Sequence, residues 1–444
     1  MKFFKWSLVF IVLCVLCACQ PQVTEQTEPQ QETESHPDGT GLETMPSEPP
    51  QSVEAVPAPE ISYTEITTET NYLMNDELPH GNAETIIALQ GSVSEDYPAF
   101  ENTHGFIMGA DAERNLFFTD WNDYSVHRLS ADGEDTIIIH RLLEDRKNDI
   151  YTSVFHRNGF AWSECPNAAI SPDPDNGAGW VVCYADLNTG EIKIADQDKG
   201  LRPAENTAYS YCCPTSLALS DEYLSYISFE KNEHNEVVQA LKLFHIPTGK
   251  METLTYLEDD PSCNAIGSPS MDGDTLTWCG GYIRPDGLYE GEIFCMNLSE
   301  RVITRLDTEE NVINPCAAGH FIVAENKPNQ TFYDSEIVVY DRNRRQWIYK
   351  INQNAAEYCG HADSALEIIT CSGPYAVWQT FTNYVLLVMD LNTGTVYQID
   401  EAPSDGLLWH PRLLPGDLLL WDIEHYDPQS GESQFDLQYA FLKR

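Results

Sequence analysis

The pentapeptide Asp186-Leu187-Asn188-Thr189-Gly190 recurs unchanged as Asp390-Leu391-Asn392-Thr393-Gly394. Each copy follows a short apolar run, Val181-Val182-Cys183-Tyr184 in the first case and Leu386-Leu387-Val388-Met389 in the second. Each precedes an alternating run, Glu191-Ile192-Lys193-Ile194 or Thr395-Val396-Tyr397-Gln398-Ile399. Strand, Asn/Thr/Gly turn, strand is a β-hairpin pattern, because Gly reaches positive φ at little cost and Asn tolerates it. The same hairpin in two distant places implies a repeat, and that constrains the chain more than any other feature.

Aligning on this motif gives a series of c-strand, turn, d-strand units. Besides the two above, c strands are expected at Val126–Leu129, Leu243–Ile246, Ile293–Met296 and Ile337–Tyr340, each followed by an Asp, Asn, Pro or Gly turn. Upstream of each lies an apolar b strand, often ending in an aromatic: Asn115–Phe118, Gly159–Trp162, Glu222–Tyr226, Asp274–Trp278, Gly319–Val323, Gly373–Trp378 and Gly416–Trp421. That makes seven b pieces and six complete c/d pieces, since the last c strand, Phe435–Phe441, has no d strand after it. An unassigned run, Glu84-Thr85-Ile86-Ile87-Ala88-Leu89, precedes the first repeat. If it supplies the missing outer strand, the termini close a ring and remove the open sheet edge. A period of about 50 residues is in the propeller range. The expectation is an all-β chain, a seven-bladed β-propeller over residues 84–444, with six or eight blades as the alternatives. The Asp-Leu-Asn-Thr-Gly turns and the strand-Gly-x-apolar-x-Trp pieces resemble TolB-like and WD-repeat-like bacterial propellers, although the Trp-Asp signature of WD repeats is missing. The resemblance implies fold and says little of activity, since propellers host many functions.

At the N-terminus, Lys2 and Lys5 precede an apolar run from Trp6 to Leu16, too short for a comfortable span and right for a signal-peptide core. It ends in Leu16-Cys17-Ala18-Cys19, which resembles the bacterial lipoprotein signal. The resemblance implies removal of residues 1–18 and a lipid on Cys19, which would hold the protein to a membrane without spanning it. The segment after it is rich in Gln, Glu, Thr, Pro and Ser, with no Lys or Arg between Lys5 and Arg114. Residues 19–83 are therefore expected to be a disordered, extended tether. The expected address is the bacterial envelope, outside the cytoplasmic membrane.

A formal charge of −45 argues against nucleic-acid binding, which needs clustered Lys and Arg. Of 13 Cys, Cys14 and Cys17 leave with the signal and Cys19 is acylated, leaving ten in an exported domain. Cys165 with Cys183, and Cys279 with Cys295, fall on neighbouring b and c strands and are the candidate disulfides, with buried free thiols as the alternative. Cys316 and Cys371 sit on expected inner strands, seven residues ahead of Val323 and Trp378. The ten remaining cysteines include no Cys-x-x-Cys pair, and no hydrolase elbow, phosphate loop or His-Glu-x-x-His is present, so no metal, cofactor or catalytic residue is assigned. His104, His361 and His410 are expected near the channel as polar lining, and Asp173–Gly177 as a hairpin tip rather than a calcium loop.

The b–c loops emerge on one face and carry Trp121, Tyr124, Tyr282, Tyr289, Phe332, Tyr333, Phe381, Tyr384 and Tyr426 among Asp, Asn and Glu. Aromatics beside carboxylates and amides suit a glycan, peptide or envelope-protein ligand. The leading expectation is a non-enzymatic, surface-anchored binding or scaffold lipoprotein. The alternatives are an extracellular glycosidase or lyase with a site in the central funnel, and an envelope-assembly factor.

Overall fold

The computed structural model describes residues 61–443 apart from 75–76, 103–104, 121, 143–147, 167–178, 202–213, 215, 257–262, 284–288, 308–310, 327–335, 352–365, 381–383, 405 and 427–432. The described strands form seven sheets, each a blade of a β-propeller. Four strands make blade I: Gly105–Ala110, Leu116–Asp120, Ser125–Leu129 and Asp135–His140. Blades II to VII repeat this a-b-c-d order, with b strands Gly159–Pro166, Tyr223–Lys231, Thr275–Ile283, Phe321–Asn326, Tyr375–Thr380 and Leu418–Tyr426.

The turns that set this repeat are built from local bonds. Asp186 Oδ1 accepts from the Asn188 amide at 2.8 Å, and Asp390 Oδ1 from that of Asn392 at 2.9 Å. Gly190 and Gly394 then adopt φ 72° and 70°, and each amide bonds back to the Asp carbonyl at 2.8 Å. The leucines after each Asp donate to the blade's a–b turn, Leu187 to Asn158 O and Leu391 to Pro374 O, both 2.8 Å. Each turn thus locks the c–d hairpin onto its own blade.

The core lies between blades. Strands b and c are buried on both faces, so they read as continuous apolar runs such as Val385–Met389. Seven apolar clusters each join consecutive blades. Trp162, Trp378 and Trp421 are fully buried, and each faces the preceding blade. The cluster of Leu418, Leu420, Tyr439 and Phe441 with Ile107, Leu116 and Phe118 joins blade VII to blade I. Closing the ring this way leaves no blade with a solvent-facing sheet.

The N-terminal segment differs from expectation. Residues 61–81, assigned above to the tether, form three short strands: β1 (Ser62–Thr67), β2 (Glu69–Met74) and β3 (His80–Gly81). They add in parallel, as fifth strands, to the outer edges of blades IV, V and VI in turn. The closing strand β4 runs Ile87–Ser92 rather than 84–89, because Ala83–Thr85 turns as a 3-10 helix capped by Asn82. It pairs antiparallel with the last strand, Ser433–Leu442, with Leu89 opposite Phe441. The segment is therefore a belt that steps one blade at a time around half the ring. The outer-strand residues Trp347, Tyr349 and Val396 on the belted blades V and VI are buried. The unbelted blades I–III leave Ile137, Ile192, Ile194 and Tyr256 exposed. Residues 19–60, including Cys19, lie outside the described residues.

The thiols also correct the expectation. Cys165, Cys183, Cys279 and Cys295 are buried and form no disulfide with one another. Cys183 lies opposite Trp162, three residues from Cys165, and Cys295 lies opposite Thr277, so neither pair is directly apposed. The disulfide joins Cys316 to Cys371 across the inner strands of blades V and VI, with Cα atoms 6.1 Å apart. Inner strands converge on the axis, which brings neighbouring positions of successive blades together. Hydrogen bonds make similar links elsewhere: Ala317 N to Ser270 Oγ (3.0 Å), Leu413 N to Thr370 Oγ1 (2.8 Å) and Ala110 N to Pro415 O (3.0 Å).

Candidate functional site on the b–c face

Blade VII carries the longest b–c hairpin, strands Leu418–Tyr426 and Ser433–Leu442. Glu424 pairs with Phe435 and Tyr426 with Ser433, so these four side chains share one face of the sheet with Asp422 and Trp409. Tyr426 is 57% and Phe435 59% exposed, far more than core aromatics. Two large rings standing in water on one face are an informative exception to burial.

The polar groups around them are held in place. Glu424 Oε2 accepts the Trp409 indole N–H at 2.7 Å, and its Oε1 accepts Ser433 Oγ–H at 2.5 Å. Trp409 is half-buried, and Tyr384 of blade VI meets it edge-on at 5.1 Å. His410 follows at a bulge with φ 49°, a left-handed backbone that costs a non-glycine residue about 1 kcal/mol or more. Its ring is largely exposed, with Nδ1 3.5 Å from Asp422 Oδ2. Arg412 stacks on Phe106 of blade I at 4.6 Å, and Phe106 is itself 42% exposed. Burial pulls the Arg412 guanidinium below its ordinary pKa, and Asp422 opposes that shift.

This rim presents rings, a fixed carboxylate and a cation along a shallow line from blade VI to blade I. Its two carboxylates are already engaged, Glu424 by Trp409 and Ser433 and Asp422 by His410. The arrangement suits stacking and hydrogen bonding to a ligand better than proton transfer, which needs an acid and a base poised on the reacting atoms.

Of the residues expected here from sequence, Tyr384 and Tyr426 belong to the rim. Tyr124 sits on blade I beneath Arg141, 5.3 Å from its guanidinium. Tyr282 and Tyr289 are not in a loop: they end the long strands Thr275–Ile283 and Tyr289–Asn297. Trp121, Phe332, Tyr333 and Phe381 lie outside the described residues, as do His104, His361 and Asp173–Gly177. Trp409, Phe435, Phe106 and Arg412 also belong to the rim, and they sit on strands rather than in the b–c loops where exposed aromatics are expected. Strict alternation of Tyr426, Glu424 and Asp422 along a strand that outruns its blade was the available signal.

No known protein family and no curated protein matches the sequence. Solved structures resemble the fold. The β-propeller domain of the Trilobed protease from Pyrococcus furiosus is 10% identical with a TM-score of 0.47, covering 75% of this chain and 93% of that one. An oligogalacturonate lyase in complex with manganese is 14% identical with a TM-score of 0.46, covering 74% and 86%. TolB from Acinetobacter baumannii is 14% identical with a TM-score of 0.36, covering 76% and 78%. These likenesses concern the fold alone, and the β-propeller itself is given by the seven blade sheets.

Proposed function

We propose that the protein is a non-enzymatic, lipid-anchored binding or scaffold protein of a bacterial envelope, which takes a glycan across the b–c face at blade VII. One observation carries the reading: Tyr426 and Phe435 stand exposed on the same face as the fixed Glu424 carboxylate. Sugar rings stack their C–H faces on such aromatics while their hydroxyls bond to carboxylates. The Leu16–Cys19 motif supports the anchor, and the acidic segment after it supports a spacer that lifts the propeller from the membrane.

A glycan array with product analysis tests the function. Binding without turnover is expected, and Tyr426→Ala with Phe435→Ala should weaken it at least 10-fold, in line with losing about 1.5 kcal/mol of stacking. Release of any cleaved product, or binding indifferent to both substitutions, would overturn the proposal. Metabolic labelling with a fatty acid tests the anchor: label should be lost in Cys19→Ser.

A further inference from the structure

On blade I, beside the end of this rim, the b–c hairpin gathers a second set of polar groups. Asp120 ends strand b and Ser125 begins strand c, directly opposite it. Asp120, Ser125 and His127 are all buried, while Asp123 reaches them from the turn with its side chain 45% exposed. One donor atom each from Asp120, Asp123 and His127 lie within 4.8 Å of one another.

The bonds around these atoms hold them in one place, and a bound cation would replace the proton that His127 Nε2 shares with Ser125 and Asp123. His127 Nδ1 lies 2.9 Å from Asp135 Oδ1, which fixes the ring and turns Nε2 toward the two carboxylates. The ring stacks on Phe118 at 4.9 Å, so it cannot swing away. Nε2 is 3.3 Å from Asp123 Oδ2 and 2.8 Å from Ser125 Oγ. Asp123 Oδ1 accepts from the Ser125 amide at 3.0 Å and its hydroxyl at 2.5 Å. Burial raises the Asp123 pKa, but these bonds and His127 outweigh it and hold the carboxyl below its usual range.

Asp120 is the unusual member. It is 8% exposed, and its Oδ1 accepts the Asn122 amide at 2.8 Å. Among the described residues its Oδ2 takes no hydrogen bond and no cation. The only ion pair either turn carboxylate makes there is that of Asp123 with His127. Asp120 thus offers a carboxylate oxygen without a partner among the described residues, beside a second carboxylate, an arrangement that a cation between them would neutralise. Three carboxylates, Asp120, Asp123 and Asp135, surround one imidazole, so the group stays negative even with the ring protonated.

We propose that this hairpin is a binding site for a divalent first-row transition-metal ion, held by His127 Nε2 and the carboxylates of Asp120 and Asp123. The mixed nitrogen and oxygen donor set suits Zn²⁺ or Mn²⁺ better than the all-oxygen ligation of Ca²⁺ or Mg²⁺. Asp135 is the outer carboxylate that orients a ligating His in such sites. Three protein donors leave coordination positions open on the b–c face beside Tyr124. The residues are distinct from those of the glycan rim, so either proposal can fail without the other.

The test is isothermal titration of the whole mature chain, stripped with EDTA, with Zn²⁺, Mn²⁺ and Ca²⁺ separately. One equivalent of Zn²⁺ or Mn²⁺ should bind ahead of diffuse binding to the acidic surface, with Ca²⁺ at least 10-fold weaker. Asp120→Asn and His127→Gln should each weaken it by 10-fold or more. Asp123→Asn alters a half-exposed turn side chain, so it provides a variant whose folding is not in question, and it should weaken binding as well. Absence of a stoichiometric site up to millimolar metal, tighter Ca²⁺ than Zn²⁺ or Mn²⁺ binding, or a site unchanged in Asp123→Asn would overturn the proposal.

Discussion

Replacing Cys316 and Cys371 by Ala removes a cross-link between two inner strands and leaves both blades otherwise intact. The bridge spans 55 residues of sequence. In the chain-entropy account, releasing a loop of that length restores about 14 cal/mol/K to the unfolded chain, or about 4 kcal/mol at 25 °C. That is a large fraction of the ~5–15 kcal/mol by which folded proteins exceed their unfolded state. Urea unfolding followed through the buried Trp162, Trp378 and Trp421 reads the effect directly. The double variant and the wild type in dithiothreitol should unfold at the same lowered midpoint, and the variant should be indifferent to reductant. The other thiols supply the control. Cys183 and Cys295 are buried, and burial, opposed by Arg342, pushes the Cys295 thiol up to about 11. Neither should alkylate at pH 8 until the chain unfolds, since the thiolate is the reactive form. A wild-type midpoint unmoved by reductant, or a bridge mapped by mass spectrometry to Cys165–Cys183 or Cys279–Cys295, would refute the inner-strand assignment.

Two further perturbations probe the belt and a buried charge. Thr68 Oγ1 accepts the indole N–H of Trp347 at 3.1 Å, so Thr68→Val should cost about 1–3 kcal/mol by stranding that donor, and Thr68→Ser should restore it; equal urea midpoints for Val and Ser would detach the belt from blade V. Glu230 bonds Lys199 at 2.5 Å and Lys242 at 2.6 Å, and Lys242 is almost fully buried. Burial raises the Glu230 pKa, but the two lysines outweigh it and the net shift is downward. A depressed carboxyl stabilises the fold above its unfolded value, about 4.3, and that contribution fades as pH falls through the folded value. Glu230→Gln should therefore destabilise by about 2 kcal/mol at pH 7, toward the low side for a broken buried pair because Glu230 keeps some solvent contact. The two proteins should converge below pH ~4, and a gap that widens there would show the sign to be wrong.

What could be read in the sequence was what local bonds decide. The Asp186 and Asp390 turns close on their own backbone within five residues, so their pattern carries the blade repeat and the blade number. The belt could not be read the same way. β1 alternates in a strand-like manner, but nothing local selects its partner, Val302–Asp307, more than 200 residues away. β3 has only two residues, placed where Gly81 lies flat against the Tyr397 ring; a Cβ there would sit 2.0 Å from it. The disulfide was missed for a geometric reason. Neighbouring strands of one blade are the obvious place to pair cysteines, yet they require opposed register, which Cys183 and Cys295 lack. Cys316 stands three residues before Gly319 and Cys371 two before Gly373, so the two are offset by one place along strands whose side chains alternate, and only the convergence of inner strands on the axis brings them together.

The same comparison between repeats locates where function can differ. The b–c connections of blades I and VI are both four residues long, 121–124 and 381–384, and both end on a tyrosine in the left-handed region, Tyr124 at φ 56° and Tyr384 at 51°. Thr380, Val385 and Leu387 of blade VI stand where blade I has Asp120, Ser125 and His127. The described ends of these connections present an aromatic ring toward Trp409 in blade VI and a carboxylate–imidazole group in blade I. The left-handed tyrosine does not by itself call for the carboxylate and imidazole, because blade VI has it with Thr380 and Leu387 at those places. Grafting the blade VI residues onto blade I, as Asp120→Thr with Ser125→Val and His127→Leu, should preserve the hairpin and the Tyr124 conformation. If the hairpin instead melts, the buried carboxylate and imidazole are structural after all; if it persists while metal affinity is lost, their role is in binding.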